Sequence, residues 1–229
     1  MRHLFLLAAL FCACISYAQI RVQERLPKSK TGFALTTAKA RAKIYYDAND
    51  ALVIKRSAEL FARDIQMVTG QKPELIQKRE RAKALVIIGT IEKNQWIREL
   101  AQKRKIDIRP LQGAWERYLI QTVDNPSPGV AKALVIAGSD RRGAAYGLFS
   151  ISEMMGVSPW YWWGDVPVKT HKALYVDAPP TYSKTPSVKY RGIFLNDEDW
   201  GLKPWAAKTF EKERGNIGPR TYAKICELL

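Results

Sequence analysis

Three cysteines are all that the 229 residues carry, and two of them, Cys12 and Cys14, lie within the first eighteen positions. Without that leader only Cys226 is left. A single thiol forms no internal disulfide, so the chain has to hold together by its core. Long apolar runs are missing too. The run from Leu4 to Ile15 is about a dozen residues, too short for a permanent membrane span, and no later segment is longer. Acidic residues are the third shortage, 22 against 37 Lys and Arg, a net charge of +15. Such a field raises nucleic-acid binding. Here, however, the basic residues are scattered in short runs such as Lys78-Arg79-Glu80-Arg81 and Lys103-Arg104-Lys105. These runs read as solvated faces, and no nucleic-acid partner is expected.

The start of the chain reads as an export signal. Arg2 and His3 precede the apolar run, and Ser16-Tyr17-Ala18 supplies the small-x-small pattern of a cleavage site. Cys12 and Cys14 lack the lead-in of a lipid-anchored cysteine, so cleavage after Ala18 is expected. Gln19 then becomes the mature N-terminus, and the protein is periplasmic or secreted. Removal of residues 1–18 leaves 36 basic against 22 acidic residues, a net charge of +14.

Apolar periodicity outlines an α/β domain. A short strand is expected at Ala42–Tyr46, then a helix from about Ala51 to Val68. Ile54, Ala58, Phe61, Ile65 and Val68 share one face of that helix, and Gly70 closes it. Ala84–Ile88 and Ala133–Ala137 are apolar on both faces and end in glycine, as strands covered on both sides do. A short strand is expected at Glu74–Gln77, a helix over Asn94–Lys105 and a strand over Arg117–Val123. A turn is expected at Asn125–Gly129 and a helix from Arg141 to Met155. Strands alternating with helices mark a mixed α/β fold.

Composition shifts after Gly156. Five of the seven tryptophans fall between Trp160 and Trp205, and prolines cluster at 159, 167, 179, 180 and 186. The stretch 178–187 resembles an extended linker. A new strand is expected from Val188 through Leu195 into the acidic Asn196-Asp197-Glu198-Asp199, then a helix opened by Gly218-Pro219. Tyr222, Ile225, Cys226 and Leu229 would form its buried face. Strand, acidic loop and helix are the first repeat of a (β/α) barrel that does not continue within these residues, so the chain reads as a truncated piece. The expected divisions are a signal peptide at 1–18, an α/β domain at 19–177, a proline-rich linker at 178–187 and a barrel start at 188–229.

Three segments can carry chemistry. Gly138-Ser139-Asp140-Arg141-Arg142-Gly143 lies between a strand and a helix, where phosphate loops occur, but lacks their glycine and lysine pattern. Asp140 as a helix cap and glycines for close packing are the favoured reading. Trp160-Tyr161-Trp162-Trp163 offers flat faces for sugar rings, or else an aromatic hinge for packing. Asn196 to Asp199 gathers three carboxylates at an expected strand end, where barrel enzymes place catalytic groups. Glycoside hydrolysis needs paired carboxyls. A cation site has no histidine nearby, since His171 is distant in sequence.

The run Tyr190-Arg191-Gly192-Ile193-Phe194-Leu195-Asn196-Asp197-Glu198-Asp199-Trp200-Gly201-Leu202-Lys203-Pro204-Trp205-Ala206 resembles the barrel start of glycoside hydrolase family 115, the xylan α-1,2-glucuronidases. Gly215 to Tyr222, Gly156 to Pro167 and the loop Gly138–Gly143 resemble the same family. The resemblance implies a small N-terminal α/β domain of the hexosaminidase accessory type, followed by the first β/α unit of a (β/α)8 barrel. It implies inverting removal of (4-O-methyl)glucuronic acid from xylan or its oligosaccharides, with no cofactor and no metal. By that resemblance Asn196, Asp197 and Glu198 are the substrate-binding candidates, the principal acid and base lie beyond Leu229, and the piece alone is inactive. A homodimeric full-length protein is compatible with it. The alternatives are a non-catalytic carbohydrate-binding module presenting Trp160–Trp163 and, more remotely, a phosphate or nucleotide binder using Gly138–Gly143.

Overall fold

The two apolar runs at 84–88 and 133–137 lie side by side as parallel strands in the computed structural model, which describes residues 19–227. The expected signal peptide and Leu229 therefore fall outside the described residues. The described chain forms two units, residues 19–158 with 167–186, and residues 159–166 with 187–227.

The first unit contains both sheets. Its elements are β1 (Arg21–Gln23), β2 (Gly32–Thr36), β3 (Lys43–Tyr46), α1 (Leu52–Thr69), β4 (Leu75–Ile76), β5 (Ala82–Thr90), α2 (Gln95–Gln102), β6 (Tyr118–Ser127), β7 (Val130–Gly138), α3 (Arg141–Met154), β8 (Leu174–Asp177) and β9 (Thr181–Tyr182). The larger sheet runs β4-β3-β5-β7-β6-β9. β4, β3, β5 and β7 are parallel neighbours, whereas β6 and β9 are antiparallel. The smaller sheet runs β1-β8-β2 and is antiparallel throughout.

Alternation along the central strands divides their side chains between two faces. Leu85, Ile87, Ala133 and Val135 meet Trp96, Ile97 and Leu100 of α2, with the Trp96 ring edge-on to Tyr45 at 4.9 Å. Val86, Ile88, Leu134 and Ile136 point the other way, to the side where α1 and α3 pack on each other and on the sheet. All of these sheet residues are fully buried, each worth about 1.5–3 kcal/mol for a large aliphatic side chain. The stripe Ile54, Ala58, Phe61, Ile65 and Val68 is equally buried, and Gly70 ends α1 at φ 71°.

Several expectations change in detail. The turn expected at 125–129 is narrower, because β6 continues through a bulge to Ser127 and the chain reverses at Pro128-Gly129. Asn125 takes φ 46° and Gly129 φ 84° in this hairpin. The polar lead contains β1, held by β8 more than 150 residues away. The stretch 178–187, expected as a linker, contributes β9 to the larger sheet, with Leu119 opposite Tyr182.

In the second unit no strand forms over 188–199 among the described residues, so the expected first barrel strand is absent there. Val188, Ile193 and Phe194 are exposed, Phe194 at 92%. An apolar run adopts strand geometry only when neighbours pair its backbone and cover its side chains. The unit's regular elements are α4 (Leu202–Trp205), a wider helical turn at Ala206–Phe210, and α5 (Pro219–Cys226), which has proline in its first turn. α5 buries Thr221 and Ile225, while Tyr222 and Cys226 are exposed, which corrects the expected apolar face.

Candidate functional site

In the second unit the acidic stretch is shaped by its own backbone. The Asn196 carbonyl accepts from Leu202 N at 2.8 Å, and the Glu198 carbonyl accepts from Gly201 N at 3.0 Å. The fold-back needs a glycine, since a Cβ on Gly201 would lie 2.3 Å from the Asn196 carbonyl oxygen. Asn196 is partly buried, and its Oδ1 is enclosed without a hydrogen-bond partner among the described residues. An enclosed acceptor with no donor is costly, and an enclosed water would offset that cost.

Three carboxylates follow in three different situations. Asp197 is exposed and accepts a hydrogen bond at Oδ2 from the Tyr222 hydroxyl of α5. That bond stabilises the phenol in its protonated form and raises the Tyr222 pKa above its ordinary 10.0. Glu198 is exposed and makes no side-chain hydrogen bond among the described residues. Asp199 pairs with Lys203 one helical turn on at 2.6 Å, and that bond holds its carboxyl below the usual carboxylate range. Asp197 is therefore held by an uncharged donor, Asp199 is neutralised, and Glu198 remains unengaged.

Glu211 is a residue that sequence reasoning missed. It is buried, and its carboxylate accepts from Gly218 N at 2.8 Å, Thr221 N at 3.1 Å and Thr221 Oγ1 at 2.6 Å. These donors belong to the start of α5, where backbone N–H groups lack partners within the helix. Gly218 has no side chain to cap the helix, and Glu211 does so from outside. The hydrogen bond from Thr221 is the chief reason its carboxyl stays below the ordinary 4.5. Glu211 thus fixes the first turn of α5, and the next residue in that turn is Tyr222.

The four consecutive aromatics belong to this unit. Trp162 lies edge-on to Trp163 at 4.5 Å, to Trp205 at 5.3 Å and to Phe210 at 4.5 Å, and Trp163 stacks on Trp205 at 5.5 Å. Lys224 of α5 donates to the Tyr161 hydroxyl at 2.9 Å and lies over that ring. Trp162 and Trp163 therefore turn toward other aromatic rings, which fits the packing reading. Trp160 is the exposed member, at 58%.

In the first unit, the loop at Gly138–Gly143 is filled by its own carboxylate. Asp140 Oδ1 accepts from Arg142 N at 2.9 Å and Gly143 N at 2.8 Å, and Oδ2 accepts from Glu116 N at 2.7 Å. A phosphate would have to displace Asp140 from the donors it needs. The two end glycines serve close packing. A Cβ on Gly138 would sit 2.1 Å from Ala144 N, and one on Gly143 2.2 Å from the Arg117 carbonyl oxygen. The end of β5 is closed in the same manner, with Asp50 accepting from Thr90 N at 2.7 Å and buried Asn94 capping α2 through Ile97 N at 3.1 Å.

Among the described residues no cluster of three or more His, Cys, Asp or Glu is arranged to hold a metal ion, and no helix is long and apolar enough to cross a membrane.

Residues 183–229, which include Asn196–Asp199, Glu211 and Tyr222, match the model of glycosyl hydrolase family 115. Among solved structures, the chain is similar to BtGH115A, a family GH115 4-O-methyl-α-glucuronidase with specificity for decorated arabinogalactans. Identity is 36% and the TM-score 0.70, over 86% of this chain and 24% of the other. The chain therefore spans about a quarter of that protein's length. A GH20 β-N-acetylhexosaminidase from Streptomyces coelicolor A3(2) aligns at 12% identity and a TM-score of 0.46, over 86% of this chain and 31% of that one. No curated protein matches the chain.

Proposed function

The chain belongs to glycosyl hydrolase family 115, and from that premise we propose that the full-length protein is an exported α-glucuronidase acting on an acidic polysaccharide. The observation that carries the proposal is the 36% identity to a 4-O-methyl-α-glucuronidase over 86% of the chain. The reaction is the hydrolytic removal of glucuronic acid, or its 4-O-methyl form, from side-chain positions. Two backbones fit it. Xylan is the polymer expected from the sequence, and decorated arabinogalactan is the substrate of the similar solved protein.

The roles of the residues follow from their surroundings. Asp197, held through Tyr222, is proposed to contact a sugar hydroxyl or to orient water. Asn196, whose backbone carbonyl accepts from Leu202 N, is proposed to line the pocket with them, and Glu198 supplies an exposed, unengaged carboxylate. An inverting mechanism places its acid and base about 6.5–9.5 Å apart, with water between base and sugar. Neighbouring carboxylates of one loop do not by themselves provide that arrangement. The principal acid and base are therefore assigned to parts of the protein outside these residues, and the 229 residues alone are proposed to be inactive. The barrel start at 188–229 and the accessory character of the preceding α/β domain belong to the same proposal.

The test is the release of free uronic acid from glucuronoxylan and from glucuronic-acid-decorated arabinogalactan. Release from either polymer by the full-length protein, with loss on Asp197→Asn, supports the assignment. Normal turnover by Asp197→Asn would remove Asp197 from the pocket.

A further inference from the structure

Two basic runs about twenty residues apart in sequence come together in the first unit. A groove of about 720 Å³ opens where β5 and β7 begin, and Arg81, Lys83, Lys103 and Lys105 line it beside the hairpin turn of β6 and β7. No carboxylate is among its lining residues. Arg81, Lys83 and Lys103 are exposed. None of the four cations forms an ion pair within 4 Å among the described residues. Lys105 donates to the Asn125 carbonyl.

The acids nearest in sequence make their close ion pairs with other cations. Glu80 pairs with Lys43, Glu99 holds Arg79 at 2.7 Å and feels Lys103 at longer range, Asp107 holds Arg109 at 2.7 Å, and Asp124 holds Lys132 at 3.1 Å. The turn also leaves space for a basic side chain. A Cβ on Gly129 would lie 2.9 Å from Cγ of Arg81, and the φ of 84° there disfavours any side chain. Like charges gathered in a concavity repel one another and focus a positive potential into it.

We propose that this groove binds the acidic polysaccharide itself, gripping uronate carboxylates carried along the polymer. The proposal rests on the reading above that the substrate bears glucuronic acid. No aromatic side chain lines the groove, so bases of a single-stranded nucleic acid would find no stacking partner. No large exposed apolar side chain lines it either, so a membrane surface would find no anchor. A polymer with carboxylates at intervals needs only several spaced cations, each contact weak and the set adding through multivalency.

The experiment compares binding of the chain to 4-O-methylglucuronoxylan, to the same polymer after carboxyl reduction, to single-stranded DNA and to phosphatidylglycerol vesicles. Charge reversal in the groove, Arg81→Glu with Lys103→Glu, is set against Lys93→Glu with Arg141→Glu. That control pair follows the opposite ends of β5 and β7 and carries the same change in net charge. The acidic polymer should bind at least about tenfold tighter than its reduced form, and more weakly as salt rises. The groove variant should lose about tenfold and the control less than about threefold. Equal binding of the reduced polymer, equal losses in both variants, or tighter binding of DNA or vesicles overturns the proposal. If the groove variant melts early, Arg81→Gln with Lys103→Gln is judged by the same criteria. Uronic acid release tests the enzyme assignment separately. Groove-dependent binding without release leaves the groove standing, and release with unaltered binding by the groove variant removes the groove alone.

Discussion

The first unit satisfies its strands from within, with every central strand paired on both sides and both faces of the larger sheet covered by helices. The second unit has short helical elements, an aromatic cluster and an irregular run at 188–199 that exposes Val188, Ile193 and Phe194. The contrast separates two kinds of order. In the first unit apolar burial fixes the backbone, and the side chains of Asp50, Asn94 and Asp140 are tied to backbone N–H groups where β5 ends and α2 and α3 begin. In the second unit carboxylates and aromatics fix one another, and an asparagine oxygen and a glutamate carboxylate are left unengaged beside a tyrosine-held aspartate.

Substitutions can break or sharpen this contrast. The largest effect is expected for Ile87→Ala in β5, which should cost the first unit about 2–5 kcal/mol through lost burial and a cavity. Denaturant unfolding of the chain reads it directly, and a loss below about 1 kcal/mol would mean that the sheet is not the unit's core. Trp162→Ala is expected next, at about 2 kcal/mol, because this ring is half-buried but meets three aromatic partners. Its effect should appear as faster amide exchange across α4 and α5, with β5 and β7 unchanged. Equal acceleration in both units would erase the distinction between them.

Asp140→Ala comes third, at about 1–2 kcal/mol, from the loss of the α3 cap. A gain in phosphate affinity in that variant would revive the phosphate-loop reading, and none is expected. The smallest effect is that of pH on α5. Glu211 has its carboxyl held below 4.5 by Thr221. Its contribution is therefore fully present above pH 4.5 and is lost as pH falls through the lower, folded value. Protection of the Gly218 and Thr221 amides, taken relative to the free-peptide exchange rate at each pH, should fall in acid in the wild type. In Glu211→Gln that protection should be lower at neutral pH and less sensitive to acid. Unchanged exchange in that variant would show that α5 starts without Glu211.

The parts that could be read in advance are those whose signal is local. The helix stripe from Ile54 to Val68 and the runs at 84–88 and 133–137 carry their period in adjacent residues. β1, β2 and β8 are short, and they exist because Arg21 and Gly32 both pair with Asp177, a long-range match that no local window contains. At Val188–Leu195 the local signal pointed to a strand, but pairing partners are missing among the described residues. The acidic loop stood out through the clustering of like charges. Its partner did not, because spacing alone marks Tyr222 as a core residue, whereas the structure turns its hydroxyl to Asp197. Glu211 sits in an ordinary charged run. Its one available clue was a helix start at Gly218-Pro219 with no capping side chain of its own.

The central claim, a family 115 α-glucuronidase whose pocket includes Asp197, is tested most directly by measuring uronic acid released by the full-length protein. The substrates are 4-O-methylglucuronoxylan and glucuronic-acid-decorated arabinogalactan, and wild type is compared with Asp197→Asn. The account predicts release from at least one polymer and a fall on the order of 10²-fold in the variant, the size expected for a lost positioning contact. No release from either polymer, or equal rates in the two proteins, would contradict it.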